Sequence, residues 1–126
     1  MIIADASAIL AGIRQETGFE RVEEHLGHLL ISAVNYCEVL QSLIKDGQSP
    51  DRARRTAAPF IDDVVDVGLS QAERAAALIV QTRPFGLGIA DRLCLALAIE
   101  RGRPALTADR AWAELQIDGL DVDLIR

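Results

Sequence analysis

Lysine is nearly absent from this sequence: of 13 basic residues only Lys45 is not arginine. There is no basic excess either, since the formal net charge is −6. That deficit argues against the electrostatic attraction on which most nucleic-acid binding rests. Long hydrophobic runs are also missing. The longest, Leu93 to Ile99, is far too short to span a bilayer. The start, Met1-Ile2-Ile3-Ala4-Asp5, has no basic region and meets an acid at once, so it does not read as a signal peptide. Cysteine is limited to Cys37 and Cys94. Both lie in apolar segments with helical spacing and read as buried free thiols of a reducing compartment, the cytosol, rather than as a disulfide. Repeats, low-complexity tracts and linkers are all lacking. The 126 residues therefore read as one domain, 1–126, able to bury about two thirds of its unfolded surface.

What is present alternates between short apolar runs and helical periodicity. Ile2-Ile3-Ala4, Leu29-Leu30-Ile31, Val64 to Val67, Ala105-Leu106 and Val122 to Ile125 read as strands. Helices are expected over Ser7 to Gln15 and Phe19 to Leu26, the latter ended by Gly27. Ser32 is placed to cap a helix that stops at Asp46-Gly47, and Ser49-Pro50 opens another that Pro59 should kink or end. Ser70-Gln71-Ala72-Glu73 has a capping-box pattern opening a helix through Val80. Thr82 to Gly88 is expected as a loop, Ile89 to Glu100 as a buried helix apolar nearly all round, and Arg110 to Leu115 as a short helix. Strands alternating with helices imply an α/β fold with a mostly parallel sheet. Ligands of such sheets bind beyond the carboxyl ends of the strands, at a topological switch point.

Four acids sit where that rule points. Asp5 ends the first strand, where a helix cap and a functional carboxylate are equally good readings. Glu38 lies inside the Ser32 helix between Cys37 and Val39, on the same face as Asn35; the plain alternative is an exposed helical glutamate. Asp91 opens the most hydrophobic helix, where an acid favours the positive end of the dipole, yet a buried carboxylate is costly unless paired or bound to a cation. Asp109 follows the fourth strand two positions after Thr107 and again allows a capping role. Four like charges at one sheet edge would repel, and divalent cations relieve that repulsion. A set of oxygen ligands favours Mg²⁺ or Mn²⁺ over zinc. Such ions make water a better nucleophile near neutral pH and steady an in-line phosphodiester displacement, with no histidine or serine nucleophile required. The acidic total would then come partly from this pocket, and arginine, which grips phosphate in bidentate fashion, would hold a strand beside it.

The segments carrying these acids resemble the PIN-domain ribonucleases, and within them the VapC-type toxins of toxin–antitoxin pairs. They are Ile2-Ile3-Ala4-Asp5-Ala6-Ser7-Ala8 and Ser32-Ala33-Val34-Asn35-Tyr36-Cys37-Glu38-Val39. Gly88-Ile89-Ala90-Asp91-Arg92-Leu93-Cys94-Leu95-Ala96-Leu97-Ala98 follows, and then Leu106-Thr107-Ala108-Asp109-Arg110. Each is weak alone; four in order over nearly the whole chain are specific. The resemblance implies a core metal site at Asp5, Glu38 and Asp91, with the more variable fourth acid at Asp109. It also implies support from Ser7, Asn35 and Thr107. The implied fold is a three-layer sandwich whose five-stranded parallel sheet has the first strand in the centre. The implied activity is hydrolysis of RNA to 5′-phosphate and 3′-hydroxyl ends, and RNA rather than DNA rests on the resemblance alone. A cognate antitoxin protein and a homodimer are implied as partners. Ile9, Leu10, Ile13, Phe19, Val22, Leu26 and Leu29, more apolar residues than two short helices obviously need, suggest an exposed groove for an amphipathic partner segment.

Other patterns carry less. His25 and His28 stand three apart but lack further zinc ligands nearby, and read as surface residues. Gly86-Leu87-Gly88-Ile89-Ala90-Asp91 follows a helix and loop rather than a strand and places an acid where a dinucleotide fingerprint needs its third glycine. Asp62, Asp63 and Asp66 alternate with valines as solvated positions, and Arg52, Arg54 and Arg55 form a solvated basic face with phosphate contact as the alternative. A phospho-acceptor signalling domain would need paired acids after the first strand, an aspartate ending the third and a late lysine, none of which is here. A PIN-fold subunit without catalysis is the remaining alternative, against which the intact set of four acids argues.

Overall fold

The computed structural model describes residues 1–126. In chain order the elements are β1 (Ile2–Ala4), α1 (Ala6–Arg14), α2 (Phe19–Glu23), β2 (Leu29–Ser32), α3 (Ala33–Lys45) and α4 (Pro50–Ala57). They continue as β3 (Asp63–Val65), α5 (Leu69–Ala77), α6 (Ile79–Thr82), α7 (Ile89–Arg101), β4 (Ala105–Thr107) and β5 (Val122–Leu124). The five strands form one sheet in the order β3-β2-β1-β4-β5, every neighbouring pair parallel. The chain winds outward from β1 to β3 and then returns to the other side of β1. The switch point therefore falls between β1 and β4.

Strand alternation sorts the core into two layers. Ile2 and Ala4 of β1, Leu29 and Ile31 of β2, and Leu106 of β4 pack with α1 and α4 on one face. Ile3, Leu30 and Ala105 pack with α5 and α7 on the other. The central strands β1 and β2 are buried throughout, as a parallel sheet covered on both faces requires. The edge strands are only partly covered and carry Asp63 and Asp123, which discourage edge pairing. α7 runs through the second layer with Leu93 to Ala98 all buried, and Gly102 at φ 60 terminates it in the left-handed conformation. No helix is long and apolar enough to cross a membrane.

Most expected boundaries agree to within a residue or two. Ser32 and Ser49 cap α3 and α4 with their hydroxyls, and α4 gives way to a 3-10 turn at Ala58–Phe60 around Pro59. Five expectations need correction. The Ser70–Glu73 capping box does not form: α5 begins at Leu69 after Gly68, and the Ser70 hydroxyl instead donates to Glu100 on α7. That helix also stops at Ala77, with α6 as a separate turn, and the segment after Thr82 holds a 3-10 turn at Arg83–Phe85 rather than a plain loop. The short helix after Asp109 is 3-10 over Arg110–Glu114. Finally, Cys94 is buried but Cys37 is exposed, because α3 turns that position away from α7 and the sheet.

The apolar surplus expected between Ser7 and Leu30 is mostly consumed by the core. Ile9, Val22 and Leu29 are fully buried, Leu10, Ile13 and Phe19 half-buried, and only Leu26 is exposed. The short α2 packs on α1, so a single helix pair over the sheet uses residues that a count by element leaves over.

Candidate active site

The site begins with the register of the two central strands. Ala4 pairs with Leu106, and the Asp5 amide continues the ladder by donating to the Leu106 carbonyl at 2.8 Å. Asp5 and Thr107 therefore emerge side by side at the switch point, both on the α7 side of the sheet by strand alternation. The Asp5 carbonyl accepts the amides of Ala8 and Ile9 at 3.1 and 3.4 Å, so its main chain opens α1. Its side chain makes no cap. Oδ2 accepts instead from the Ser7 hydroxyl at 2.6 Å and the Thr107 hydroxyl at 2.9 Å. Asp5 is thus the N-cap residue of α1 through its main chain only, and its carboxylate is free for another use.

Each of those hydroxyls also accepts an amide. Ser7 Oγ receives Ala108 N–H at 3.0 Å and Thr107 Oγ1 receives Asp109 N–H at 3.0 Å. A hydroxyl has one proton to donate and lone pairs to accept, so both protons are directed to Asp5. The same two groups pin the loop that carries Asp109. Asp5 is only 4% exposed. Burial pushes its carboxyl up to about 6, the Ser7 and Thr107 hydrogen bonds hold it down, and the charges of Asp91 and Glu38 raise it further.

Asn35 connects the second and third acids. It is fully buried, with its side-chain carbonyl accepting from the Ser32 hydroxyl at 2.8 Å. Its amide nitrogen donates to Glu38 Oε1 at 3.1 Å and to the Ala90 carbonyl at 3.2 Å. Glu38 is accordingly half-buried and oriented from one side, which an ordinary exposed helical glutamate is not. The Ala90 contact joins α3 to the first turn of α7 next to Asp91.

Asp91 does sit at the positive end of α7. Its Oδ2 accepts the Gly88 amide at 3.0 Å. Burial raises its pKa, the Gly88 amide opposes that shift, the Asp109 charge adds to it and Arg92 reduces it. Asp109 is exposed, and its Oδ1 accepts Ala111 N–H at 3.0 Å, so the capping role is realised there. Its charge is nonetheless felt at Asp91. Beneath them, Cys94 is fully buried one turn along α7. Burial first, then the charges of Asp5, Asp91 and Glu38, push its thiol well above the usual range and keep it neutral.

Asp5 thus feels the charges of Asp91 and Glu38, and Asp91 that of Asp109, while Ser7 and Thr107 bond Asp5 and Asn35 bonds Glu38. Sequence reading missed the Gly88 amide and the Ala90 carbonyl, main-chain groups that side-chain identity cannot signal, and the part played by Arg92. None of the chain's ion pairs involves Asp5, Glu38, Asp91 or Asp109. No three of these carboxylates stand at ligating separation. An unpaired, oxygen-only donor set around a buried aspartate fits a hard divalent cation. No enclosed pocket surrounds the acids; the cavities of about 300 to 330 Å³ are lined by other residues.

The remaining polar groups have other duties. Asp62 Oδ2 accepts Leu29 N–H at 2.7 Å and so secures the start of β2. Arg54 and Arg55 both pair with Asp51 on their own helix. His28 is exposed as expected, whereas His25 is half-buried, 3.8 Å from Asp123.

A family model described as the PIN domain matches residues 2–117. No curated protein sequence matches the chain. Among solved structures, a chain of the DNA-bound VapBC complex of Salmonella typhimurium is similar, at 18% identity and TM-score 0.74 over 100% of both chains. A toxin–antitoxin complex from Klebsiella pneumoniae matches at 20% identity and TM-score 0.73, covering 95% of each chain. FitAcB from Neisseria gonorrhoeae matches at 14% identity and TM-score 0.73, covering 99% of this chain and 98% of that one. At such identities the likeness establishes the shared fold.

Proposed function

This chain belongs to the PIN-domain family, and we propose that it is a metal-dependent ribonuclease of the VapC type, the toxin of a toxin–antitoxin pair. The observation that carries this reading is the buried Asp5 at the switch point, which feels the charges of Asp91 and Glu38 and has no cationic partner. Asp5, Glu38 and Asp91 would hold Mg²⁺ or Mn²⁺, with Asp109 contributing from the rim. When bound, the cation supplies the positive charge that activates water and stabilises the phosphoryl oxygens of an in-line displacement.

The chain's own residues prepare the site. Ser7 and Thr107 donate to Asp5, which favours its ionised form against the cost of burial. Asn35 takes one oxygen of Glu38 and leaves the other free. The Gly88 amide does the same for Asp91. Cys94, held neutral in the core, offers no nucleophile. The open surface around the acids suits a polymeric strand better than a small molecule, which would need enclosure.

Similar structures that are VapBC and toxin–antitoxin complexes support an antitoxin partner. A homodimer is supported by an exposed apolar stripe along α5 and α6. Leu69 of α5 and Val80 of α6 are 78% and 70% exposed, the exposed Ala72 and Ala76 of α5 lie between them in the chain, and Ile89 of α7 is 66% exposed. Soluble monomers rarely leave such a stripe open.

Incubation of total cellular RNA with the purified chain and Mg²⁺ or Mn²⁺ tests the activity. Cleavage should leave 5′-phosphate and 3′-hydroxyl ends and stop in excess chelator. Asp5→Asn, Glu38→Gln and Asp91→Asn should each abolish it, with Asp109→Asn milder. Undiminished cleavage in chelator, or by Asp5→Asn, would refute the reading.

A further inference from the structure

Arg92 follows Asp91 in the first turn of α7, half-buried and without any carboxylate within ion-pair distance. Its guanidinium engages main-chain oxygens instead. Nε donates to the Ala75 carbonyl of α5 at 3.1 Å and Nη1 to the Leu87 carbonyl at 3.2 Å. Ala75 lies in the last turns of α5, where the dipole is negative and carbonyls lack intrahelical donors. Leu87 is buried, and its carbonyl shares one planar peptide unit with the Gly88 N–H. That N–H is the group that donates to Asp91 Oδ2 at 3.0 Å.

A single rigid amide is therefore gripped on its oxygen by Arg92 and on its nitrogen by Asp91. A charged donor on the oxygen polarises the amide and strengthens donation from the N–H. The second arm, on Ala75, keeps the guanidinium from swinging away. We propose that Arg92 is a positioning residue: acting through the Leu87–Gly88 peptide, it holds Asp91 by Oδ2 and leaves Oδ1 as the oxygen available to a cation. The last clause rests on the reading of Asp91 as a metal ligand. Lysine cannot replace arginine here, because a point charge cannot serve two carbonyls in a fixed fork.

Two variants test this, Arg92→Met, which keeps the stem, and Arg92→Lys, which keeps the charge and serves where Arg92→Met fails to fold. In the ¹⁵N-labelled metal-free chain, the Gly88 amide proton should move upfield in both, farther in Arg92→Met. Mn²⁺ affinity by calorimetry should fall about tenfold, as for loss of an outer partner of a ligand. A merely architectural arginine would lower the melting temperature yet leave the Gly88 resonance and the Mn²⁺ affinity of the folded chain unchanged, and that result overturns the proposal. If the unsubstituted chain binds no Mn²⁺, the metal-site reading fails. The Gly88 resonance then judges the clamp alone: moved, it stands; unmoved, it falls.

Discussion

Replacing Asp5 by asparagine should stabilise the metal-free protein, by an amount that depends on pH. The folded carboxyl titrates at about 6, against a usual value of 3.8, because only 4% of the residue is exposed and two acids stand near it. Below the unfolded value both states are protonated and there is no penalty. As pH rises toward 6 the unfolded chain releases this proton and the folded chain does not, so stability falls by about 1.4 kcal/mol per pH unit. Above about 6 the loss levels off near 3 kcal/mol. Asparagine does not titrate and keeps an acceptor oxygen for the hydroxyls of Ser7 and Thr107. The variant should match the unsubstituted chain below about pH 4 and exceed it by about 3 kcal/mol at pH 7, or roughly 10 °C in melting temperature. Urea unfolding in chelator from acid to neutral pH measures the difference. Added Mg²⁺ should reverse the order by stabilising only the chain that binds it. A variant less stable at pH 7, or a difference that does not vary with pH, would show that Asp5 pays no desolvation cost.

Thr107→Val removes a donor to Asp5 and the acceptor of the Asp109 amide. It should cost about 1–3 kcal/mol in thermal melts, and it should move the acid limb of the cleavage profile to higher pH because a bond to the ionised form is lost. An unmoved acid limb would dissociate Thr107 from the titration of Asp5. Leu69→Glu, at a 78% exposed position, should convert a dimer to a monomer in light scattering while leaving the melting temperature of dilute protein nearly unchanged. A dimer that persists would place the interface elsewhere.

How far the sequence was legible depends on the range of the interaction concerned. Asp5, Glu38, Asp91 and Asp109 stood out as candidates because each departs from a local pattern: an acid at the end of an apolar strand, between apolar helical residues, or at the head of a buried helix. Ser32 and Ser49 declared α3 and α4 because a cap involves only the next few residues. The Ser70 pattern misled for the opposite reason. Its hydroxyl met Glu100 across the α5–α7 interface, and a tertiary partner displaced the local one. Cys37 likewise went to solvent through the orientation of α3, which periodicity in a helix with apolar residues on several sides does not determine.

By itself, then, the sequence determined the alternation of strands and helices and singled out the candidate acids, all through patterns within a turn or a strand. Only the tertiary structure decided what those acids experience. Pairing of β1 with β4 across about a hundred residues makes the side chain of Asp5 an acceptor for Thr107 instead of a cap, and burial raises its pKa. The packing of α3 against α7 brings Asn35 to Ala90, and that of α5 against α7 brings Arg92 to the Ala75 carbonyl. Desolvation and main-chain hydrogen bonding across elements depend on which surfaces meet, and that is settled only when the layers close.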